Sequence, residues 1–349
     1  MNPRFSIIMA VRNGEAFVAE AIESVLQQTL GDFELLVSDD DSRDATREIV
    51  SALAAREPRI QLLRRKPGGG AGGNRNHAIR HAHGEWIAFL DADDLWPEDH
   101  LALCAAAIAA CPDAVIFFGD YRRFVDSTAD ARPSTFETKA FFDPHAHYVE
   151  RVLTVDDRVE VMRCRPQELI KHCCLRYCPI NTCGVTLRRE ILEVHRLAFN
   201  EQWLINEDFD LWMNMLEHGP GVAIRRVLFY YRENPASLTG DPVRYMDGMA
   251  QSHGAWLRRI RRQLTAAELA LYRDKVASFL RDLAWEHSQR GDVLAAALAQ
   301  VRSLQHRRRP ADILEVGKTM LRAGYRRLVS RRRTEVVADS RSSLGQSRR

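Results

Sequence analysis

Glu85–Pro97 reads EWIAFLDADDLWP. Trp86 to Leu90 form an apolar run long enough for a buried strand and too short for a helix. The run then breaks into three carboxylates, Asp91, Asp93 and Asp94, with only Ala92 between them. Like charges at the end of an apolar strand repel one another and are costly to desolvate unless a cation or hydrogen-bond donors meet them. One reading is a divalent-metal site at the carboxyl end of a sheet strand, where open α/β sheets gather their ligands. The other is an acidic cap on the next helix, whose N-terminus Asp94 and Glu98 would suit. The two are compatible if Asp91 and Asp93 serve the cation and Asp94 the cap.

The flanking sequence alternates strand and helix patterns. Phe5–Ala10 reads as a strand and Glu15–Gln28 as a helix; Phe33–Ser38 is a second strand. A helix follows from about Asp44, with Asp44 or Ser42 as N-cap. Ile60–Leu63 is a third strand, the glycine-rich PGGGAGG a loop, and the region around Arg75–His83 a helix. After the opening strand come a helix over about Glu98–Ala110 and a strand at Ala114–Phe118. Such alternation predicts an α/β fold, Rossmann-like, with a mostly parallel sheet covered by helices on both faces.

From Gly119 the pattern weakens, with strands expected at Tyr148–Val155, Val159–Arg163, Thr182–Leu187 and Val222–Tyr231. Helices are expected at Pro166–Cys173, Arg188–His195 and Glu207–His218. Beyond Asp241 everything reads as helix, ending with Val293–Gln305 and Ala311–Val329. A chain of 349 residues exceeds one usual core. We therefore expect a first domain over 1–240, divided into a nucleotide half (1–120) and an acceptor-side half (121–240). A helical appendage over 241–330 and a basic, disordered tail over 331–349 would follow.

No apolar run approaches the roughly 18 residues needed to cross a bilayer. FSIIMAV near the N-terminus reads as a first strand rather than a signal peptide, which predicts a cytoplasmic protein. Seven cysteines, an odd number with irregular spacing, fit reduced thiols. Cys173, Cys174, Cys178 and Cys183, with His172 alongside, lack paired zinc-ligand spacing and read as ordinary buried thiols. The net charge of +3 hides an asymmetry, because Arg302–Arg349 holds fourteen basic and four acidic residues, a net of +10 that leaves −7 for the rest. A basic tail suggests attraction to an anionic surface.

Gly68, Gly70 and Gly73 satisfy the dinucleotide-binding string G-x-G-x-x-G, but after the third strand rather than the first. The acid about 20 positions on falls inside a carboxylate cluster, so the loop reads better as a mobile neighbour of the ligand. Asp39, Asp40 and Asp41 form a second acidic cluster at a strand end, on the edge where Asp91 and Asp93 would lie. Two clusters converging on one edge favour a compensating cation. One of these acids could also accept from the N–H of a base such as uracil.

Four segments now combine: FSIIMAVRNG, DFELLVSDDDSRDAT, NRNHAIRHAHGEWIAFLDADDLWPEDHL and NEDFDLW. In this order and spacing they resemble the family 2 glycosyltransferases of the GT-A fold, over about residues 5–240. The resemblance implies an inverting, metal-dependent transferase of bacterial polysaccharide assembly. It would move a sugar from a nucleotide-sugar, UDP-sugar by default, to a glycan or lipid-linked hydroxyl. By resemblance, Asp91 and Asp93 hold Mn²⁺ or Mg²⁺ against the donor diphosphate, with Asp93 the more direct ligand. A hard dication suits the charge that builds on a departing diphosphate. Asp40 matches the uracil-contacting acid, with Asp39 beside it. Arg75 and Asn76 match an arginine–asparagine pair that supports the nucleotide; Ala10, Val11, Asn13 and Ala92 complete the donor-side set. Asp208 matches the general base, and Glu207 its supporting acid. A single base opposite the leaving group implies direct displacement with inversion. The pair could equally be first-turn acids favoured by a helix dipole. Arg232 is either a phosphate contact or a surface ion pair.

Three positions depart from the family pattern. Val11 replaces a base-stacking aromatic, Asp41 a glycine of a turn where φ > 0 would strain other residues, and Asn74 an alanine. The departures keep a catalytically silent sugar-nucleotide-binding or scaffold protein as an alternative, and a metal-dependent nucleotidyltransferase is the enzymatic rival. In the tail, Ile313, Val316, Met320, Leu321, Leu328 and Val329 lie roughly on one helical face, with basic residues elsewhere. Residues 307–333 would then lie on an anionic membrane surface, or pack on the body with a solvated face. Nucleic acid is not expected, because the basic residues lack interleaved aromatics.

Overall fold

The computed structural model describes residues 3–65, 68–132, 143–155, 159–234, 240–306, 317–318 and 321. The chain forms two compact units, Met1–Ser237 and Leu238–Arg349. No helix among the described residues is long and apolar enough to cross a membrane.

The first unit opens as the alternation predicts. Strands β1 (Phe5–Val11), β2 (Phe33–Asp39), β3 (Ile60–Arg64) and β4 (Trp86–Phe89) alternate with helices α1 (Val18–Leu26), α2 (Thr46–Ala54) and α3 (Gly70–Ile79). The four strands pair in parallel in the order β3-β2-β1-β4. β1 and β4 are apolar almost throughout because both faces of the sheet are covered. Of the glycine-rich stretch expected as a loop, Gly70–Gly73 form the first turn of α3 and Gly68 and Gly69 lead into it. Gly69 and Gly70 supply left-handed φ values of 75° and 59° at its entry. A Cβ on Gly72 would come within 3.0 Å of the Glu207 and Phe199 side chains, and one on Gly73 within 2.8 Å of Arg65. Close approach therefore accounts for the glycines where the dinucleotide string does not.

The second half of the sheet is mixed. After α4 (His100–Ala110) come β5 (Ile116–Phe124), β6 (Val149–Val155), β7 (Val159–Cys164) and α5 (Pro166–Leu175). They are followed by β8 (Thr186–Arg188), α6 (Arg189–His195), α7 (Glu207–Leu216) and β9 (Gly221–Arg232). The nine-stranded order is β3-β2-β1-β4-β8-β5-β9-β7-β6. Short β8 wedges antiparallel between β4 and β5, while β5 and β9 run parallel and β7 and β6 continue antiparallel. The sheet is thus parallel over β3-β2-β1-β4 and mixed beyond it. Only the last part of the expected strand at Thr182–Leu187 is strand, since Thr182–Gly184 forms a 3-10 turn.

The second unit contains α8 (Pro242–Ile260), α9 (Ala266–Gln289) and α10 (Val293–His306). α9 begins with a capping box in which Thr265 Oγ1 accepts from the Glu268 N–H and Glu268 accepts from the Thr265 N–H. The expected helix at Ala311–Val329 and the tail from 331 lie outside the described residues, apart from positions 317, 318 and 321.

Candidate active site

The carboxyl ends of β1, β2 and β4 meet the start of α3 and of α7. Arg75, on α3, is 7% exposed at its side chain and spans the centre. Its Nη2 donates to Asp91 Oδ1 at 2.6 Å and its Nη1 to Glu207 Oε1 at 2.9 Å. Burial alone would lower its pKa, but Asp91 and Glu207 outweigh that and hold the guanidinium protonated. One cation thus joins the acid at the end of β4 to the acid at the head of α7, residues 116 positions apart in the chain.

Asp91 is 34% exposed at its side chain, and Asp93 is partly exposed. Burial, followed by the charge of Asp91, raises the Asp93 pKa. Asp94 is buried and does not cap α4, which begins at His100 after the N-cap Asp99. Instead, Asp94 Oδ1 accepts from the Arg232 backbone N–H at 2.9 Å, and its Oδ2 accepts from the Cys183 thiol at 3.1 Å. The expectation of an Asp94 cap fails because the turn after β4 aims this carboxylate toward β9.

Cys183, read from sequence only as a buried thiol, belongs to the site. Its sulfur accepts from the Asp91 N–H at 3.3 Å, and its carbonyl accepts from Trp96 Nε1. Burial, then Asp91 and Asp94, pushes the thiol pKa well up, so it is a protonated donor. Asp91, Asp94 and Cys183 offer ligand atoms within 4.8 Å of one another. The thiol and the hydrogen-bonded Asp94 suit a hard dication poorly, whereas the oxygens of Asp91 and Asp93 at the open end of the strand suit it well. The repulsion that raises the Asp93 pKa is what a bound cation would relieve, so the residues fit such an ion.

At the end of β2, Asp39 accepts from the Ser42 N–H and from Arg47 Nε at 2.5 Å. Asp40 is buried, donates its N–H to the Val11 carbonyl and lies 3.5 Å from Arg65 Nη1. Asp41 takes φ 59°, the left-handed conformation that the glycine of the family would supply. Asn13, also left-handed at φ 53°, donates its N–H to Ser42 Oγ and accepts from the Arg43 N–H. Ala10 is half-buried; Val11 and Ala92 are buried. The Val11 side chain therefore does not take the place of an exposed stacking ring. Asn74 ties the strand ends together. Its Nδ2 donates to the Ser38 and Val11 carbonyls, and its Oδ1 accepts from Ser38 Oγ at 2.5 Å.

Asn76 exchanges hydrogen bonds with the Phe199 backbone and donates to Glu201 at 3.1 Å, so it fastens the 199–201 segment to α3. Arg232 forms the ion pair expected of it, with exposed Glu20, but from a buried position. It is buried with its guanidinium against the Phe17 and Phe124 rings, at 4.8 and 4.5 Å. Its Nε donates to the Asp93 carbonyl at 2.9 Å and its Nη2 to Glu20 at 2.6 Å.

At the head of α7, Asp208 Oδ2 accepts from Thr182 Oγ1 at 3.0 Å and Oδ1 from the Phe209 N–H at 2.7 Å. Burial raises the pKa of Asp208 against the opposing pull of Arg75. Burial and then Asp208 raise that of Glu207. A raised carboxylate pKa suits proton abstraction near neutral pH. Thr182, Cys183 and Arg65 escaped sequence reading. The first two fall in Thr182–Leu187, a stretch read only as a strand, without roles for its side chains.

A parallel first half of the sheet, a mixed second half and acids converging at their junction match the GT-A glycosyltransferase fold. Residues 6–176 match the family described as Glycosyl transferase family 2. An Escherichia coli protein named UDP-Glc:alpha-D-GlcNAc-diphosphoundecaprenol beta-1,3-glucosyltransferase WfgD is 46% identical over 98 residues, 28% of this chain and 38% of that protein. Another of the same activity name, WfaP, is 27% identical over 237 residues, 68% of this chain and 80% of that protein. An uncharacterized Bacillus subtilis glycosyltransferase, EpsJ, is 28% identical over 70% of this chain and 65% of its own length. The chain thus spans less than two thirds of WfgD and of EpsJ. Among solved structures, Staphylococcus aureus TarS 1–349 matches with a TM-score of 0.52 at 16% identity, over 88% of this chain and 89% of that one. The Pyrobaculum calidifontis mannosyltransferase PcManGT, in complex with GDP-Man and Mn²⁺, matches at 0.53 and 16%, over 94% and 88%.

Proposed function

We propose that the protein is an inverting glycosyltransferase that moves a sugar from a UDP-sugar to a hydroxyl of a lipid-linked glycan in cell-surface polysaccharide synthesis. The observation that carries the proposal is Arg75 donating at once to Asp91 and Glu207. Both acids lie within the span of one guanidinium, which supports reading them as the donor and acceptor sides of a single site where the two substrates would be held together. The names of WfgD and WfaP supply the donor and acceptor class. TarS has also been solved with UDP and with UDP-GlcNAc.

Asp40 and Asp39 would face the nucleobase, and Arg75 the diphosphate. Asp91 and Asp93 would hold Mn²⁺ or Mg²⁺, which when bound supplies positive charge to the leaving diphosphate. Asp208 would accept the proton of the acceptor hydroxyl. Thr182 and the Phe209 N–H hold its carboxylate in place, and Glu207 supports the acceptor side. With the base opposite the leaving group and no second nucleophile, the anomeric carbon inverts. A lipid-linked acceptor would bring the protein to the inner face of the plasma membrane.

The test is a thermal-shift screen of nucleotide-sugars with Mn²⁺, followed by turnover of any hit. UDP-sugars should stabilise the protein. Asp93→Ala should abolish the Mn²⁺-dependent part, and Asp208→Asn should keep donor binding while lowering transfer by about 10²- to 10⁴-fold. Undiminished transfer in Asp208→Asn would remove the base assignment.

A further inference from the structure

The C-terminal end of β9 is fastened to the turn that follows β4. Arg232 donates its backbone N–H to Asp94 Oδ1 and its Nε to the Asp93 carbonyl, both at 2.9 Å. Two residues earlier, Tyr230 and Leu95 exchange backbone hydrogen bonds at 2.8 and 3.1 Å. Two residues later, the Asn234 side chain donates to the Asp93 carboxylate. Residues 93–95 are thus held, main chain and side chain, by a segment that the chain reaches some 138 positions further on.

The Arg232 side chain is built into this arrangement. It is 7% exposed, lies against the Phe17 and Phe124 rings, and gives its Nη2 to Glu20 of α1 at 2.6 Å. A guanidinium that spends Nε and Nη2 inside the protein would have to break both bonds to turn outward to a phosphate. Its rigid fork instead ties the start of α1 and the ends of β5 and β9 to the Asp93 main chain. Asp93 needs such a hold. A hard dication accepts oxygen ligands over a narrow range of distance and angle, whereas Asp93 sits in a short turn, partly exposed and repelled by Asp91. The bond from Arg232 fixes its main chain, and the bond from Asn234 its carboxylate.

We propose that Arg232 and Asn234 are positioning residues for Asp93, holding its main chain and its carboxylate in the orientation that a divalent cation requires. The inference rests on the reading of Asp93 as a metal ligand. It places Arg232 behind that acid rather than against the donor diphosphate.

The probe is Mn²⁺ alone, titrated into the full chain and followed by loss of the free-ion electron paramagnetic resonance signal. Wild-type binding should be lost in Asp93→Ala, which assigns the signal. Arg232→Met keeps an apolar side chain against the two rings and removes a positive charge beside Asp93. By charge alone it should bind Mn²⁺ more tightly; the positioning role predicts binding weaker by about 10- to 100-fold. Asn234→Ala, which leaves every charge in place, should weaken binding by about tenfold with an unchanged thermal midpoint. It decides the matter should Arg232→Met fail to fold. UDP affinity without metal, read by thermal shift, should be the same in Arg232→Met as in the wild type. Mn²⁺ binding of wild-type strength in Asn234→Ala, or of equal or greater strength in a folded Arg232→Met, overturns the positioning role and leaves the proposed transferase standing. A fall in metal-free UDP affinity in Arg232→Met returns the arginine to the diphosphate and overturns its place behind Asp93. Weakened Mn²⁺ binding in both variants, with no stabilisation of the wild type by UDP, overturns the transferase and leaves the positioning role. A wild type whose Mn²⁺ binding survives in Asp93→Ala, or that binds none, overturns both the metal ligand and its positioning.

Discussion

Asn74 shows how one side chain can replace a family residue by taking over a structural task. It bonds Ser38 twice and Val11 once, holding the carboxyl ends of β1 and β2 at the spacing on which Asp39 and Asp40 depend. Asn74→Ala would restore the residue usual in the family but strip buried partners from Ser38 and Val11. We expect a loss of about 1–3 kcal/mol, read as a lower urea midpoint. An unchanged midpoint would show that water or a shift of α3 replaces these bonds. His100 carries a second prediction at this scale. It is buried, stacked on Trp96 at 3.7 Å and bonded to the Leu228 carbonyl, and burial lowers its pKa to about 3. The unfolded chain therefore takes up a proton below about pH 6.5 that the folded chain refuses until about pH 3. Stability from this residue is complete above pH 6.5 and falls as the solution is acidified. Between pH 7 and pH 5 the loss should be about 2 kcal/mol, and His100→Gln should flatten that part of the urea-midpoint profile. An identical slope in the variant would assign the acid sensitivity to other groups, His253 first among them.

At the scale of elements, what the sequence revealed follows the length of its signals. The strands of the nucleotide half are apolar runs between helical periodicities, and their boundaries agree with the structure to within a residue or two. β8 has only three residues, and its place between β4 and β5 is set by pairing across distant parts of the chain, which periodicity does not encode. Asp94 was misassigned for a similar reason. Its position before a helix suggested a cap, and only the crossing of β9 supplies the Arg232 N–H that it accepts. Asp91, Asp93, Glu207 and Asp208 could be named because their residue types and order carry the family pattern; Cys183 and Thr182 could not, because their roles arise from contact alone. The irregular pairing of β5 with β9 around Gly119 gives the prediction for this scale. A Cβ on Gly119 would lie 2.4 Å from Leu228 Cγ and 3.1 Å from the Arg226 carbonyl. Gly119→Ala should therefore cost about 1–3 kcal/mol through overpacking, visible as a reduced thermal midpoint. Pairing it with Leu228→Ala should recover part of that loss if Leu228 is the obstacle.

For the whole molecule, the decisive quantity is the collection of acids gathered around Arg75, with Arg232 beside Asp93. The pKa values of Asp93, Asp94, Glu207 and Asp208 are all raised, each chiefly by burial. A carboxylate whose folded pKa is raised binds a proton more readily in the folded chain. Its contribution to stability is thus favourable at acid pH and declines as pH rises through the folded value. This trend opposes that of His100, so the two set a stability optimum between them. Cation binding reads the same acids from the other side, because protons compete with a metal for ligand oxygens. With UDP and Mn²⁺ near a hundredfold above the dissociation constant, linkage should stabilise the folded chain by about 2.7 kcal/mol. At about 2–4 °C per kcal/mol, that is a rise of several degrees in thermal midpoint. The rise should be larger at pH 8 than at pH 5.5, because fewer of the ligand carboxylates are protonated at the higher pH. In Asp93→Ala the Mn²⁺-dependent part should vanish at both values, whereas Asp208→Asn should retain it. A wild-type rise independent of pH would mean that the acids with raised pKa values are not the ones that meet the metal, and the donor diphosphate would then have to be held by Arg75 and backbone donors instead.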